Sequence, residues 1–355
     1  MGEKVLMKGN EALAEAAIRA GCRFYAGYPI TPQSEVSEYM SRRMPQVHGV
    51  FIPAESEIAA INMVLGAAGT GALAMTSSSS CAISLKQETL SYMISQEVPC
   101  LIANVSRGGP GLGSISPSQG DYFQATRTGA NGDVRLLVFG PSTIQEMVDL
   151  VHDAFVLGQK YRTPVTILSD GMIGQMAEPV EFKHNAIELE HDKGWNLTGA
   201  KNRKPRRLSS IHLKEGELEQ HVLHLFEKFE KIRADEVRYE ALYLEDAELV
   251  VMAFGSCARI TKTAIKEARR EGYKVGLIRP ITLWPFPAKI VNQVSKRCKK
   301  FLCIEMNMGQ MYEDIKMDIE SDARLDFYGR PGGAIPTPEE ILERIKQSMR
   351  ELTSV

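Results

Sequence analysis

The order of segments restricts this chain's fold more than any other feature. Short apolar runs alternate with longer runs whose apolar residues recur at helical spacing, and glycine, proline and hydroxyl residues punctuate the joins. Such alternation requires crossover connections, and therefore a mostly parallel sheet with helices on both faces. "CRFYAGYPI", "GVFIPA", "GALAMTSSSS", "PCLIANVSR", "RLLVFGP" and "PVTILSD" read as strands. Between them lie "NEALAEAAIRAG", stopped by Gly21, and "TPQSEVSEYMSRRM", with Thr31 as N-cap and Pro32 at the first helical position. Further helices are predicted after Ser56, over about 82–96 and over 142–161.

From 179 to 246 the character changes. "KHNAIELEHDKGWNLTGAKNRKPRRLSS" is polar and irregular, and "LKEGELEQHVLHLFEKFEKIRADEVRYEALYL" reads as one long charged helix with Leu218, Val222, Leu225, Phe226, Phe229 and Ile232 at helical spacing. This is a connecting arm. A second α/β unit begins at Ala247 with "ELVVMAFGS" and closes with a helix in "TPEEILERIKQSMREL". The expected organisation is a doubly wound domain over 1–180, an arm over 181–246 and a second α/β domain over 247–355.

Composition excludes several functions. A net charge of −2 supplies no field that would recruit nucleic acid, and the basic run "KNRKPRR" is short, lacks aromatics and is flanked by acids, as a solvated loop is. No apolar run reaches the length of a membrane span. The Met-Gly start has Leu6 where a myristoylation signal needs Ser or Thr, and no secretory segment follows, so a cytoplasmic protein without a membrane partner is expected. The six cysteines form no CxxC or Cys/His cluster, and Met306 stands where an iron–sulfur run starting at Cys298 and Cys303 would need its next ligand. They read as thiols in a reducing compartment, with no cluster on this chain.

Parallel sheets hold ligands at the carboxyl ends of their strands, so those loops are the candidate sites. In "GYPITPQSE" Thr31 opens a helix whose hydroxyl and backbone N–H groups would suit an anion. In "AESE", Ser56 would cap a helix with Glu57 in its first turn, followed by an uncharged stretch through Thr76. A buried acid there needs a partner, because an unpaired buried charge costs several kcal/mol, ~3–5 when its partner is removed. "TSSSS" (76–80) either caps the next helix or lines a polar pocket. In "SRGGPGLGSISPSQGDYFQA", Arg107 ends an apolar strand ahead of a glycine-rich turn. Its guanidinium fork suits a carboxylate, and a salt-bridged surface arginine is the alternative. The glycine spacing fits neither a GxGxxG fingerprint nor a P-loop. "SDGMIG" with Asn196 has the outline of a thiamine enzyme's magnesium motif, but Ser169 replaces the first Gly and "GWNL" is a poor second half, so no metal is placed here.

Taken together, "YPITP", "AESEIAAINMVLGAA", "MTSSSS", "NVSRGGPGLG", "GDYFQAT" and "SDG" resemble, in order, the alpha subunit of the 2-oxoacid:ferredoxin oxidoreductases. The resemblance implies a pyrimidine-type thiamine diphosphate-binding domain followed by a domain similar to the last domain of transketolases. It places the family's glutamate on Glu57, which would hydrogen-bond the aminopyrimidine N1′. Thr31 and Arg107 fall near the substrate's keto group and carboxylate, and Pro29, Ile30, Ser78 and Ser79 near the cofactor. Glu55 has no counterpart, and the "GSCAR" turn over 255–259 would approach coenzyme A or an interface. Diphosphate and Mg2+ would sit on a beta subunit, and [4Fe-4S] clusters on partners that include gamma and ferredoxin-like delta subunits, with ferredoxin as acceptor. "GPGLGSISPSQGD" is more similar to the branched-chain (3-methyl-2-oxobutanoate) members than to the 2-oxoglutarate members. A pyruvate- or 2-oxoglutarate-specific enzyme and a non-catalytic assembly subunit are the other readings.

Overall fold

The structure is a computed structural model and describes residues 4–350. The Met-Gly start, Glu351 and Leu352 of the predicted last helix, and the outer ends of the two expected domains lie outside the described residues. The strands in chain order are β1 (Val5–Lys8), β2 (Phe24–Gly27), β3 (Val50–Pro53), β4 (Ala74–Ser78), β5 (Leu101–Ser106), β6 (Leu137–Phe139), β7 (Val165–Asp170), β8 (Ala177–Val180), β9 (Tyr239–Leu242), β10 (Leu249–Met252), β11 (Val275–Pro280), β12 (Thr282–Trp284), β13 (Lys300–Glu305) and β14 (Arg324–Gly329).

A seven-stranded sheet has the order β12-β6-β7-β5-β4-β2-β3, parallel throughout except for β12. β4, β5 and β7 are buried along their whole length, which is why they read as apolar or small runs without alternation. Helix Gly9–Ala20 is buried at nearly every position, and its small residues let it lie between helices Ser34–Arg43 and Ile144–Tyr161. Chain order reverses at β2, with β3 on one side and β4 on the other. The crevice above the carboxyl ends of β2 and β4 is therefore the topological switch point where such sheets bind ligands. A second sheet, β14-β13-β10-β11-β9, is parallel apart from β9 and packs its own core.

Several elements depart from the pattern in the sequence. The helix expected from Pro32 starts at Ser34, and Thr31 does not cap it. The carbonyls of Thr31 and Pro32 instead accept hydrogen bonds from Arg107 Nη1 and from Asn10 Nδ2 and Gln175 Nε2, so side chains hold this turn open. The helix expected over 82–96 is two pieces, Cys81–Ser84 and Gln87–Ser95, broken where Lys86 turns inward to Thr76. The arm helix stops at Asp235, and Tyr239–Leu242 leaves it to pair antiparallel with β11, tertiary pairing overriding helical periodicity. β12, from the C-terminal unit, completes the first sheet beside β6, and Trp284 on it meets Phe229 of the arm helix edge-on at 6.2 Å. The short β1–β8 ribbon, helix Gln310–Asp318 and β14 lacked a readable period in the sequence.

Candidate functional site

Four neighbouring strands bring the predicted residues together. Tyr28, Pro29, Ile30 and Thr31 follow β2, Glu57 opens the helix after β3, Ser78 and Ser79 close β4 and its turn, and Arg107 follows β5.

Helix Glu57–Gly69 starts where the sequence predicts, with Ser56 Oγ accepting the Ala59 N–H at 3.1 Å. Glu57 is 6% exposed, while Glu55 faces solvent. Among the described residues no group donates a hydrogen bond to the Glu57 carboxylate. One charge lies near it that sequence reasoning missed. Lys86 is 1% exposed, donates to Thr76 Oγ1 at 2.8 Å and feels the field of Glu57. Burial pushes its ammonium down to about 8, and the glutamate opposes that push. As the first charge after the uncharged run, Lys86 was the available signal. The helix is also less enclosed than its composition implies. Ile58, Asn62 and Gly66, at i, i+4 and i+8, are exposed: Asn62 reaches Thr89 Oγ1 at 3.0 Å, and among the described residues nothing lies within 4 Å of a Cβ built on Gly66.

Past β4 the backbone turns sharply at Ser80, with φ 41° and ψ −100°, a conformation rare for a residue with a side chain. The Ser78 and Ser79 hydroxyls are buried and unpartnered. Ser80 is fully engaged. Its Oγ donates to Asp121 Oδ2 at 2.6 Å and accepts the Arg107 N–H at 2.9 Å, and its N–H reaches Asn104 Oδ1 at 3.1 Å. Asn104 Nδ2 donates to the same Asp121 oxygen at 3.0 Å. Burial raises the Asp121 carboxyl above its ordinary range even though both donors favour its ionised form.

Arg107 is 8% exposed. Its Nη1 donates to the Thr31 carbonyl at 2.9 Å and its Nη2 to Cys81 Sγ at 3.3 Å, and Nε is buried without a partner. Among the described residues no carboxylate lies within ion-pair distance, so the salt-bridged surface arginine is not what the fold builds. Cys81 and Asp121 line an open cavity of about 640 Å³ between the two units, with Gln124, Asn307 and Gly332 on its other walls. The glycine-rich turn closes tightly over this end of β5: a Cβ on Gly113 (φ +55°) would stand 1.8 Å from the Gly108 carbonyl oxygen.

The motif set aside as a metal site has a structural occupation. Asp170 Oδ1 accepts the Met172 and Ile173 N–H groups and Oδ2 takes the Ser256 hydroxyl, while Asn196 ties down the Thr70 and His191 carbonyls. The "GSCAR" turn is thereby buried: Ser256 is committed to Asp170, and Arg259 pairs with Glu178. Across the unit boundary, Gln119 donates to the Phe254 carbonyl at 2.8 Å and its backbone exchanges hydrogen bonds with Met306 and Asn307.

Residues 15–238 match the family model "Pyruvate flavodoxin/ferredoxin oxidoreductase, thiamine diP-bdg", and residues 247–341 match "Pyruvate:ferredoxin oxidoreductase core domain II". The chain is 45% identical over 343 residues to ketoisovalerate oxidoreductase subunit VorB of Methanothermobacter thermautotrophicus, covering 96% of this chain and 97% of that one. It is 35% identical over 366 residues to 2-oxoglutarate synthase subunit KorA of Methanocaldococcus jannaschii, covering 94% and 97%. Among solved structures, the 2-oxoglutarate:ferredoxin oxidoreductase of Magnetococcus marinus, with 2-oxoglutarate, coenzyme A and succinyl-CoA bound, superposes with a TM-score of 0.89 at 28% identity, over 98% of this chain and 66% of that chain. An inactive split-gene transketolase superposes at 0.59 with 13% identity, a likeness of fold alone.

Proposed function

Because this chain belongs to the 2-oxoacid:ferredoxin oxidoreductase family, as its thiamine diphosphate-binding domain and core domain II match over most of its length, we propose that it is the alpha subunit of a complex that oxidatively decarboxylates a branched-chain 2-oxoacid. The products are an acyl-CoA, carbon dioxide and reduced ferredoxin. The higher identity to a ketoisovalerate enzyme than to a 2-oxoglutarate enzyme supports 3-methyl-2-oxobutanoate as substrate.

One observation carries the reading: Glu57 is a buried carboxylate at a helix start, at the switch point, to which nothing in the described chain donates a hydrogen bond. A protonated ring nitrogen of the cofactor is a fitting donor. The neighbouring orphan hydroxyls of Ser78 and Ser79 suit a polar heterocycle, and Pro29 and Ile30 offer it an apolar edge. When bound, thiamine diphosphate supplies the carbon nucleophile and the electron sink that decarboxylation needs. Glu57 holds a proton shared with the ring, Lys86 keeps that corner electrostatically balanced, and Arg107 with the Thr31 turn receives the substrate carboxylate.

The chain makes half of this site. A beta subunit provides the diphosphate and Mg2+ half, and gamma and delta subunits carry the clusters. The exposed, uncharged positions Ile58, Asn62 and Gly66 on the helix that Glu57 opens support docking of such a partner beside Glu57. The experiment is Glu57→Gln in the reconstituted complex, with cofactor binding followed by calorimetry and viologen reduction measured on a panel of 2-oxoacids. Loss of thiamine-dependent turnover by about 100-fold or more is expected, with the complex intact. Near-normal turnover removes Glu57 from the chemistry, and preference for 2-oxoglutarate or pyruvate reassigns the substrate.

A further inference from the structure

We infer that Asp121 is a positioning residue: through Ser80 it fixes Arg107, and so sets the affinity of the site for the carboxylate of its 2-oxoacid. The inference rests on the reading of Arg107 as the carboxylate receptor.

Arg107 follows the last residue of β5, and its backbone is bridged antiparallel to Pro117 on the far side of the glycine-rich turn. Among the described residues its guanidinium is held by a backbone carbonyl on another loop, the Thr31 oxygen, and by the Cys81 sulfur. A receptor held this lightly at its tip must be fixed at its base. The base is the Arg107 N–H, which donates to Ser80 Oγ at 2.9 Å. Ser80 cannot do this unaided, because its backbone sits at φ 41°, where a residue with a side chain remains only when surrounding bonds over-determine it. Asp121 supplies those bonds. Its Oδ2 takes the Ser80 hydroxyl proton at 2.6 Å and the Asn104 amide at 3.0 Å, while Asn104 Oδ1 takes the Ser80 N–H at 3.1 Å. The result is a closed ring of three hydrogen bonds, two of them to a carboxylate, joining the turn after β4, β5 and the start of helix Tyr122–Thr126. Turning the Ser80 proton toward Asp121 also leaves the oxygen lone pair aimed at the Arg107 N–H. The same turn presents Cys81, the next residue, to Nη2. A single carboxylate thus orders both ends of the receptor without touching the substrate.

The test uses the complex of this chain with its partner subunits, 3-methyl-2-oxobutanoate as substrate and viologen as acceptor. Asp121→Ala raises KM about tenfold or more and leaves kcat within about threefold. Asp121→Asn restores most of the loss, because both donors address one oxygen and an amide oxygen can take its place. A second readout needs no turnover: phenylglyoxal labels Arg107 faster in Asp121→Ala than in wild type or Asp121→Asn, read by peptide mass spectrometry. Unchanged KM and labelling in Asp121→Ala, or an equal fall of kcat in both variants, overturns the proposal. If Asp121→Ala fails to assemble, Ser80→Ala carries the same test with the same two outcomes. Arg107→Met separates the two levels. If it leaves KM unchanged, the reading of Arg107 fails. If it raises KM while Asp121→Ala does not, only the role of Asp121 fails.

Discussion

Replacing Lys86 by methionine turns the buried ammonium beside Glu57 into a measurable quantity. Lys86 is 1% exposed and its amine titrates at about 8, against an ordinary 10.5. At 1.36 kcal/mol per pH unit that drop is worth about 3 kcal/mol. The folded chain holds this lysine's proton less tightly than the unfolded chain does, so folding releases a proton between about pH 8 and 10.5. The resulting stability is fully present above 10.5 and is lost as pH falls through about 8. Lys86→Met removes the titration and keeps most of the volume. Wild type should therefore gain about 3 kcal/mol relative to Lys86→Met between pH 7 and pH 10.5, whatever constant offset the lost Thr76 bond and the unbalanced Glu57 add. Urea unfolding followed by far-ultraviolet circular dichroism at half-unit pH steps gives the difference curve directly. A flat difference across that window would refute the reasoning, because it would mean the amine reaches water in the folded chain.

Two further outcomes test the frame around the site. Arg279 is 4% exposed, forks onto Glu146 at 2.7 and 3.0 Å and meets Glu240 at 2.6 Å; Arg279→Ala should cost about 3 kcal/mol, since Glu146 loses its cation while Glu240 keeps Lys262 at 2.7 Å, and a loss under about 1 kcal/mol by thermal denaturation would show that water replaces it. Burial, with Asp314 beside it, pushes the Asp318 carboxyl up to about 6, so its favourable contribution is present below its ordinary 3.8 and disappears as pH rises through about 6. Discounted for a half-exposed group, Asp318→Asn should stabilise by about 1 kcal/mol at pH 8 and by nothing at pH 4, and equal melting shifts at both values would exclude that titration.

The fold class and the residues meeting above β2–β5 were legible because both follow from local order: strand-end loops converge wherever strands run parallel. Ser56 and Glu57 needed only capping chemistry. What was hidden depended on distant partners. β12 has three residues and no period to read, and it exists because β6 offers an edge. Tyr239–Leu242 continues a helical pattern and becomes a strand only against β11. Thr31 has the sequence context of an N-cap, but the turn before Ser34 is held by Arg107, Asn10 and Gln175, which lie far away in the chain. Lys86, Ser80 and Asp121 matter through burial and mutual orientation, which spacing along the chain does not encode.

The placement of β12 also decides how this protein can be divided. The junction near residue 246 looks like a natural cut, yet severing the chain there removes the strand that covers β6. Leu137, Val138 and Phe139, all buried in the intact chain, would then border an open row of backbone donors and acceptors, a template for pairing with any other extended chain. The two units therefore cannot be traded as cassettes between relatives at that point. A graft must carry β12 with the first sheet and β9 with the second.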